Sequence, residues 1–180
     1  MNNKKLKEEF INSFGEEKWN QEEMLAKLVE PQMELCKYLG IEMVPVICED
    51  IPDDSRYYFK DEYIVLSPRM LLSYTDALKS LVHEMRHQYQ FKCASDPNSK
   101  ENPYLVNLWR DDLTKNAKYV NPFDQDSVTD YYSLVIELDA HAFSKWYLLY
   151  KYDIPTTHPD IIYDELLTRY IKKYLRTEKS

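Results

Sequence analysis

Only two glycines, Gly15 and Gly40, occur in the 180 residues of this chain. Gly-rich phosphate cradles and dinucleotide-binding turns need several glycines at fixed spacing, so nucleotide enzymes built on such loops are excluded. Cysteine is scarce too. Cys36, Cys48 and Cys93 are an odd set with no CxxC pair, which makes neither a disulfide framework nor a four-cysteine zinc site. No run of about 18 apolar residues is present, so no membrane-spanning helix is expected. The opening stretch MNNKKLKEEFINSF lacks the apolar core of a secretory signal. Reduced thiols and a cytoplasmic location are the expectation. Positive charge is also short: Lys and Arg total 23 against 31 Asp and Glu, for a net charge of −8. A phosphate backbone is bound by clustered Lys and Arg, so no nucleic-acid partner is expected.

What is present reads as one α+β domain. Apolar residues from Glu16 to Leu39 recur at helical spacing, with Pro31 expected to kink or restart the helix and Gly40 to stop it. Residues 41–48, IEMVPVIC, suit a strand that Pro45 would place at an edge. Residues 56–67 carry aromatic and β-branched runs on both sides of KDE, a hairpin pattern that Ser67-Pro68 ends. From Thr75 the pattern turns helical, with Leu78, Val82, Met85 and Tyr89 forming one apolar stripe. Further helices are expected over 103–113, over Val128–Tyr152 up to Pro155, and over Ile161–Leu175, with a loop at 116–127.

Inside the helix from Thr75 stands LVHEMRHQYQ. Residues four apart share a helix face, about 5–6 Å between Cβ atoms, so His83 and His87 can aim at one ion. Glu84 is rotated about 100° from His83 and borders the ion without ligating it. It can then take a proton from a water activated there, the arrangement that HExxH encodes in zinc hydrolases. The other reading of the same residues is an ordinary amphipathic helix with a polar groove.

A catalytic zinc takes three protein ligands and leaves a position open. In the extended motif HExxHxxGxxH a glycine turns the chain toward a third ligand. Gln90 stands at that glycine here, so Cys93 would be carried away and is read as structural. The segment YYSLVIELDAHAFSKWY, 131–147, interrupts an apolar helix with Glu137, Asp139 and His141. Buried charges need partners, and a metal would be one. Glu137 and His141 share a face, whereas Asp139 points roughly 200° away, toward the surface or a neighbouring helix. Glu137 is preferred as ligand; His141 is left as a hydrogen-bond partner or a polariser of the substrate carbonyl. His158, in the loop-like PTTHPD, reads as an exposed or capping histidine. Tyr131, Tyr132 and Arg86 are further oxyanion candidates, Arg86 the weakest because its position points it elsewhere.

HEMRH followed by ELDAHAF resembles the gluzincin-type metallopeptidases, in particular the compact ImmA/IrrE-like group of bacterial and phage proteins. In that group a later helix carries E-x-x-A-x-x-F, which Glu137, Ala140 and Phe143 match. The resemblance covers about residues 60–92 and, more weakly, 129–147. It implies a mostly helical zincin-like domain over residues 1–180, with a small antiparallel or mixed sheet of about three strands beside the active-site helix. It further implies one zinc per chain on His83, His87 and Glu137, Glu84 as general base, and a protein or peptide substrate guided by YIVLS as an edge strand. One departure is the separation of 50 residues (137 − 87) between His87 and Glu137, longer than the compact members imply, with the inserted material including NPYLVNLWRDDL. Two rival expectations stand beside the peptidase: a metal-stabilised binding or regulatory protein of the same fold, and a helical interaction domain without metal.

Overall fold

The computed structural model describes residues 21–115 and 134–175. The first helix, α1 (Gln21–Leu39), buries Met24, Leu28, Pro31, Leu35 and Leu39 along one face. Of the two expected effects of Pro31, a restart does not occur: the helix runs through it from Gln21 to Leu39. Proline has no N–H to donate to the carbonyl four residues back. That residue, Lys27, lies on the exposed side of the helix, while Pro31 is buried in the core. Gly40 ends the helix as expected, at φ +65°, and the Ile41 N–H donates back to the Cys36 carbonyl at 3.0 Å. Added carbon at Gly40 would meet nothing within 4 Å, so glycine is required there by backbone conformation alone.

Three short strands follow: β1 (Val46–Cys48), β2 (Ser55–Tyr58) and β3 (Tyr63–Leu66). Their order is β1-β3-β2, with β1 parallel and β2 antiparallel to β3. The sheet is therefore mixed. The expected hairpin is present, turning through Glu62 at φ 54° and pairing Tyr58 with Tyr63. Pro45 does precede an edge strand, β1. The YIVL segment, expected at an edge, is instead the central strand. Its Ile64, Val65 and Leu66 are fully buried, and a continuous apolar run is what a strand covered on both faces requires.

A 3₁₀ turn, Met70–Leu72, leads into the longest helix, α2 (Tyr74–Ser95), whose N-cap is Ser73: its hydroxyl accepts from the Asp76 N–H. Then come α3 (Pro103–Lys115), α4 (Val135–Tyr152) and α5 (Ile161–Tyr170), which continues as a π-helical turn, Ile171–Leu175. The expected start of α4 at Val128 is corrected: Leu134 is extended, at φ −67° and ψ 128°, so the helix begins at Val135. Asp112 on α3 accepts the Ile136 N–H at 3.0 Å, satisfying an otherwise orphaned first-turn donor. At the other end Asp153 turns left-handed at φ 56°, two residues ahead of Pro155. The 116–127 loop and residues 128–133 lie outside the described residues.

Two apolar cores result. One packs α1 and the sheet against Leu78, Leu81, Val82 and Met85 of α2 and Phe143, Tyr147 and Leu148 of α4. The other packs α3 and α5 against Cys93 of α2 and Ile136 and Ala142 of α4. Fully burying a Leu, Ile, Val, Met or Phe side chain contributes about 1.5–3 kcal/mol, and α2 and α4 contribute side chains to both cores. They run antiparallel. Ser144 Oγ donates to the Lys79 carbonyl at one end, and Gln90 Nε2 to the Ile136 carbonyl at the other. The protein is a mostly helical α+β fold with a three-stranded mixed sheet. Among the described residues, no helix is long and apolar enough to cross a membrane.

Candidate functional site

Helical spacing sets the first half of the site. His83 and His87 project from one face of α2, and Glu137 and His141 from one face of α4, each pair a single turn apart. Antiparallel packing turns the two faces together. His83 Nε2 and His87 Nε2 stand 2.9 Å apart, and each is 3.4 Å from Glu137 Oε2. Donors at about 2.0–2.1 Å from a tetrahedral zinc are about 3.3 Å from one another, so this spacing fits a single ion. His83, His87 and Glu137 form a group that could hold a metal ion.

The group is charged against itself without one. Burial pulls the His87 imidazole down, but the adjacent Glu137 carboxylate outweighs it and raises the group to about 9. Burial pushes Glu137 up, and the two imidazoles, His87 foremost, hold it well below the usual carboxylate range.

Hydrogen-bond direction fixes which nitrogen of His87 faces the centre. The Gln90 amide NH2 donates to the Ile136 carbonyl at 2.9 Å and to Asp139 Oδ2 at 2.7 Å, and both are acceptors only. Gln90 Oε1 must therefore face His87 Nδ1, 2.8 Å away, and that nitrogen must be the donor. The proton sits on Nδ1, and Nε2 is the atom presented to the ion. His83 Nδ1 has no such partner among the described residues.

Asp139 anchors this relay. It is fully buried and accepts four bonds: Arg86 Nε at 2.7 Å, Arg86 Nη2 at 3.1 Å, Gln90 Nε2 at 2.7 Å and Tyr170 OH at 3.0 Å. Four is the capacity of a carboxylate. Of the two expected places for Asp139, the interhelical one holds and the surface one does not. Arg86 points away from the ligands, as its helix position requires, and lies against the faces of Phe143 and Tyr89.

Glu84 is 3% exposed and lies outside the ligand group, close enough to His87 to raise it electrostatically. Its Oε1 accepts from Ser55 Oγ at 2.7 Å. Ser55 and Gln90 are the residues that sequence reasoning missed as partners of this site. Ser55 opens β2 and carries no local signal. Gln90 could have been found, since a long amide one turn beyond His87 can reach back to it.

His141 is brought to the centre as expected, its ring 4.4 Å from that of His83. Burial, His83 and Lys79 hold it well below the ordinary imidazole range, against Glu137. Asp160, not His158, is the N-cap of α5; His158 Nδ1 accepts the Asp160 N–H, and its ring comes within 6.1 Å of His141. All four histidines of the chain thus converge. Cys93 is buried in the second core, away from the group, because α2 stays helical through Gln90. Tyr131 and Tyr132 lie outside the described residues.

Compared with known proteins, the chain finds no match among family models, curated proteins or solved structures.

Proposed function

We propose that this protein is a zinc-dependent metallopeptidase that hydrolyses peptide bonds of a cytoplasmic protein, with one zinc held by His83, His87 and Glu137. The observation that carries this reading is the pairing of a three-donor group with a buried carboxylate, Glu84, that stands beside it and outside it. Three ligands with an open fourth position are what a catalytic zinc uses, whereas structural sites close with four. Bound zinc supplies Lewis acidity and brings the pKa of a water to about 7.

The chain's own residues do the rest. Ser55 holds one oxygen of Glu84, leaving the other to take the proton of the attacking water and return it to the departing amine. His141, kept uncharged by its surroundings, is positioned to hydrogen-bond the carbonyl oxygen as negative charge develops there. Strand β2, rather than β3, is the edge beside the centre, since its Ser55 touches Glu84. An extended substrate would add to that edge through main-chain hydrogen bonds.

Glu84→Gln tests the reading. A general base contributes about 100- to 10,000-fold, so hydrolysis of an unfolded protein substrate should fall by at least about 100-fold with zinc content and melting temperature unchanged. Equal hydrolysis by wild type and variant would leave the ion a purely structural clamp between α2 and α4.

A further inference from the structure

The facing stripes of α2 and α4 extend beyond the ligands. On α2, Lys79, His83 and His87 follow at four-residue steps, and on α4, Glu137, His141 and Lys145 do the same. The turn after the metal group therefore brings Lys79 and Lys145 toward His141. Residues 156–158 fold over this turn, so that Lys79, His141, Lys145, Thr156, Thr157 and His158 line one recess.

The charges there do not cancel. Lys145 Nζ is committed to Asp164 Oδ1 at 2.6 Å, and the same oxygen accepts the His158 N–H at 2.8 Å. Lys79 is partly buried; its carbonyl accepts from Ser144, but its ammonium makes no hydrogen bond or ion pair among the described residues. It lines the recess with His141 and His158 and acts electrostatically on both. One uncompensated cation thus sits beside the metal group of a protein whose net charge is −8. Partial burial of an unpaired ammonium is costly, and the apolar packing of α2 does not use this face.

We infer that the recess is a subsite for a carboxylate of the peptide substrate, one or two residues from the bond cleaved at the metal group. The inference rests on the peptidase reading. One helical turn advances about 5.4 Å and an extended peptide about 3.3–3.6 Å per residue, so a neighbouring residue of the substrate reaches Lys79. One ammonium matches one carboxylate in charge, and the Thr156 and Thr157 hydroxyls supply neutral donors. A phosphate calls for more cations or an Arg fork; the recess has no Arg, and its second cation, Lys145, is already paired with Asp164. The carboxylate has two possible sources, an Asp or Glu side chain or the free C-terminus of a peptide.

Binding can be read without turnover. The zinc-loaded full chain is titrated with N-acetylglutamate α-amide, N-acetylalanine and N-acetylglutamine α-amide, following the imidazole NMR signals of His158. At least one carboxylate probe should bind about tenfold more tightly than the uncharged one, the effect of a charge-assisted bond of about 1.4 kcal/mol. Preference for the glutamate probe assigns a side chain; preference for the alanine probe assigns the C-terminus. Lys79→Met should abolish the advantage with zinc content unchanged, and Lys79→Arg should retain it. Equal binding of charged and uncharged probes overturns the inference. So does an advantage that survives Lys79→Met, since the carboxylate would then sit on the metal. A chain that shows the Lys79-dependent preference but cleaves no peptide keeps the anion subsite and loses the peptidase reading.

Discussion

Two polar clusters are buried between α2 and α4, and they differ in whether they satisfy themselves. Around Asp139, every lone pair meets a donor from Arg86, Gln90 or Tyr170. Around Glu137, two imidazole nitrogens and a carboxylate oxygen converge at 2.9–3.4 Å, and one of the histidines must be protonated for them to coexist. The first cluster is complete and acts as a fastener. The second is complete only when something positive occupies its centre, a proton on His87 or a metal ion. Gln90 belongs to both, bonded to Asp139 on one side and His87 on the other, so the fastener also aims the ligand.

Breaking the fastener should have the largest effect. Asp139→Ala leaves the Arg86 guanidinium buried without its partner, and removing one member of a buried ion pair costs about 3–5 kcal/mol. Urea denaturation should show that loss. Replacing both partners by apolar residues, Arg86→Met with Asp139→Leu, should recover most of it. Equal instability of the single and double variants would show that the pair does more than neutralise itself.

Cutting the link between the clusters should matter less for folding and more for metal. Gln90→Leu removes the acceptor that holds His87 Nδ1. Loss of a hydrogen bond behind a ligand weakens metal binding by about 10- to 100-fold, readable by competition with a chelator. Unchanged affinity would mean that His87 is oriented by packing alone.

The smallest effect is a difference in pH response. In the ion-free protein His87 is raised from 6.5 to about 9. Its contribution to stability is therefore complete below the unfolded value and lost as pH rises toward 9. Zinc needs the same nitrogen bare, so its affinity should rise over that interval. Melting temperatures from pH 6.5 to 9 should fall for ion-free protein and hold or rise for zinc-loaded protein. Parallel curves would contradict the shared role of His87.

How much of this was legible follows from the range of each contact. Helical period alone puts His83 with His87 and Glu137 with His141, and it turns Asp139 and Arg86 away from the ligands, because these are statements about one helix face. The left-handed stop at Gly40 and the KDE turn are likewise local. Which faces meet is not local. Ser55 reaches Glu84 across 29 residues and Arg86 reaches Asp139 across 53, and no periodicity encodes either pairing. Strand YIVL was misplaced for the same reason: its apolar run and its hairpin with β2 were visible, but its other neighbour, β1, pairs with it in parallel from beyond β2 in sequence. The bond from the Asp160 N–H to His158 is local too, while the approach of His158 to His141 depends on where α5 packs.

The central claim is that the Glu137 cluster holds one metal ion across α2 and α4. Metal content per chain of untagged protein tests it most directly, for wild type, His83→Ala and Glu137→Ala. The account predicts one zinc per wild-type chain and its loss in both variants. A wild-type chain that takes up no zinc after incubation with it, or Glu137→Ala that retains a full complement, would contradict the account.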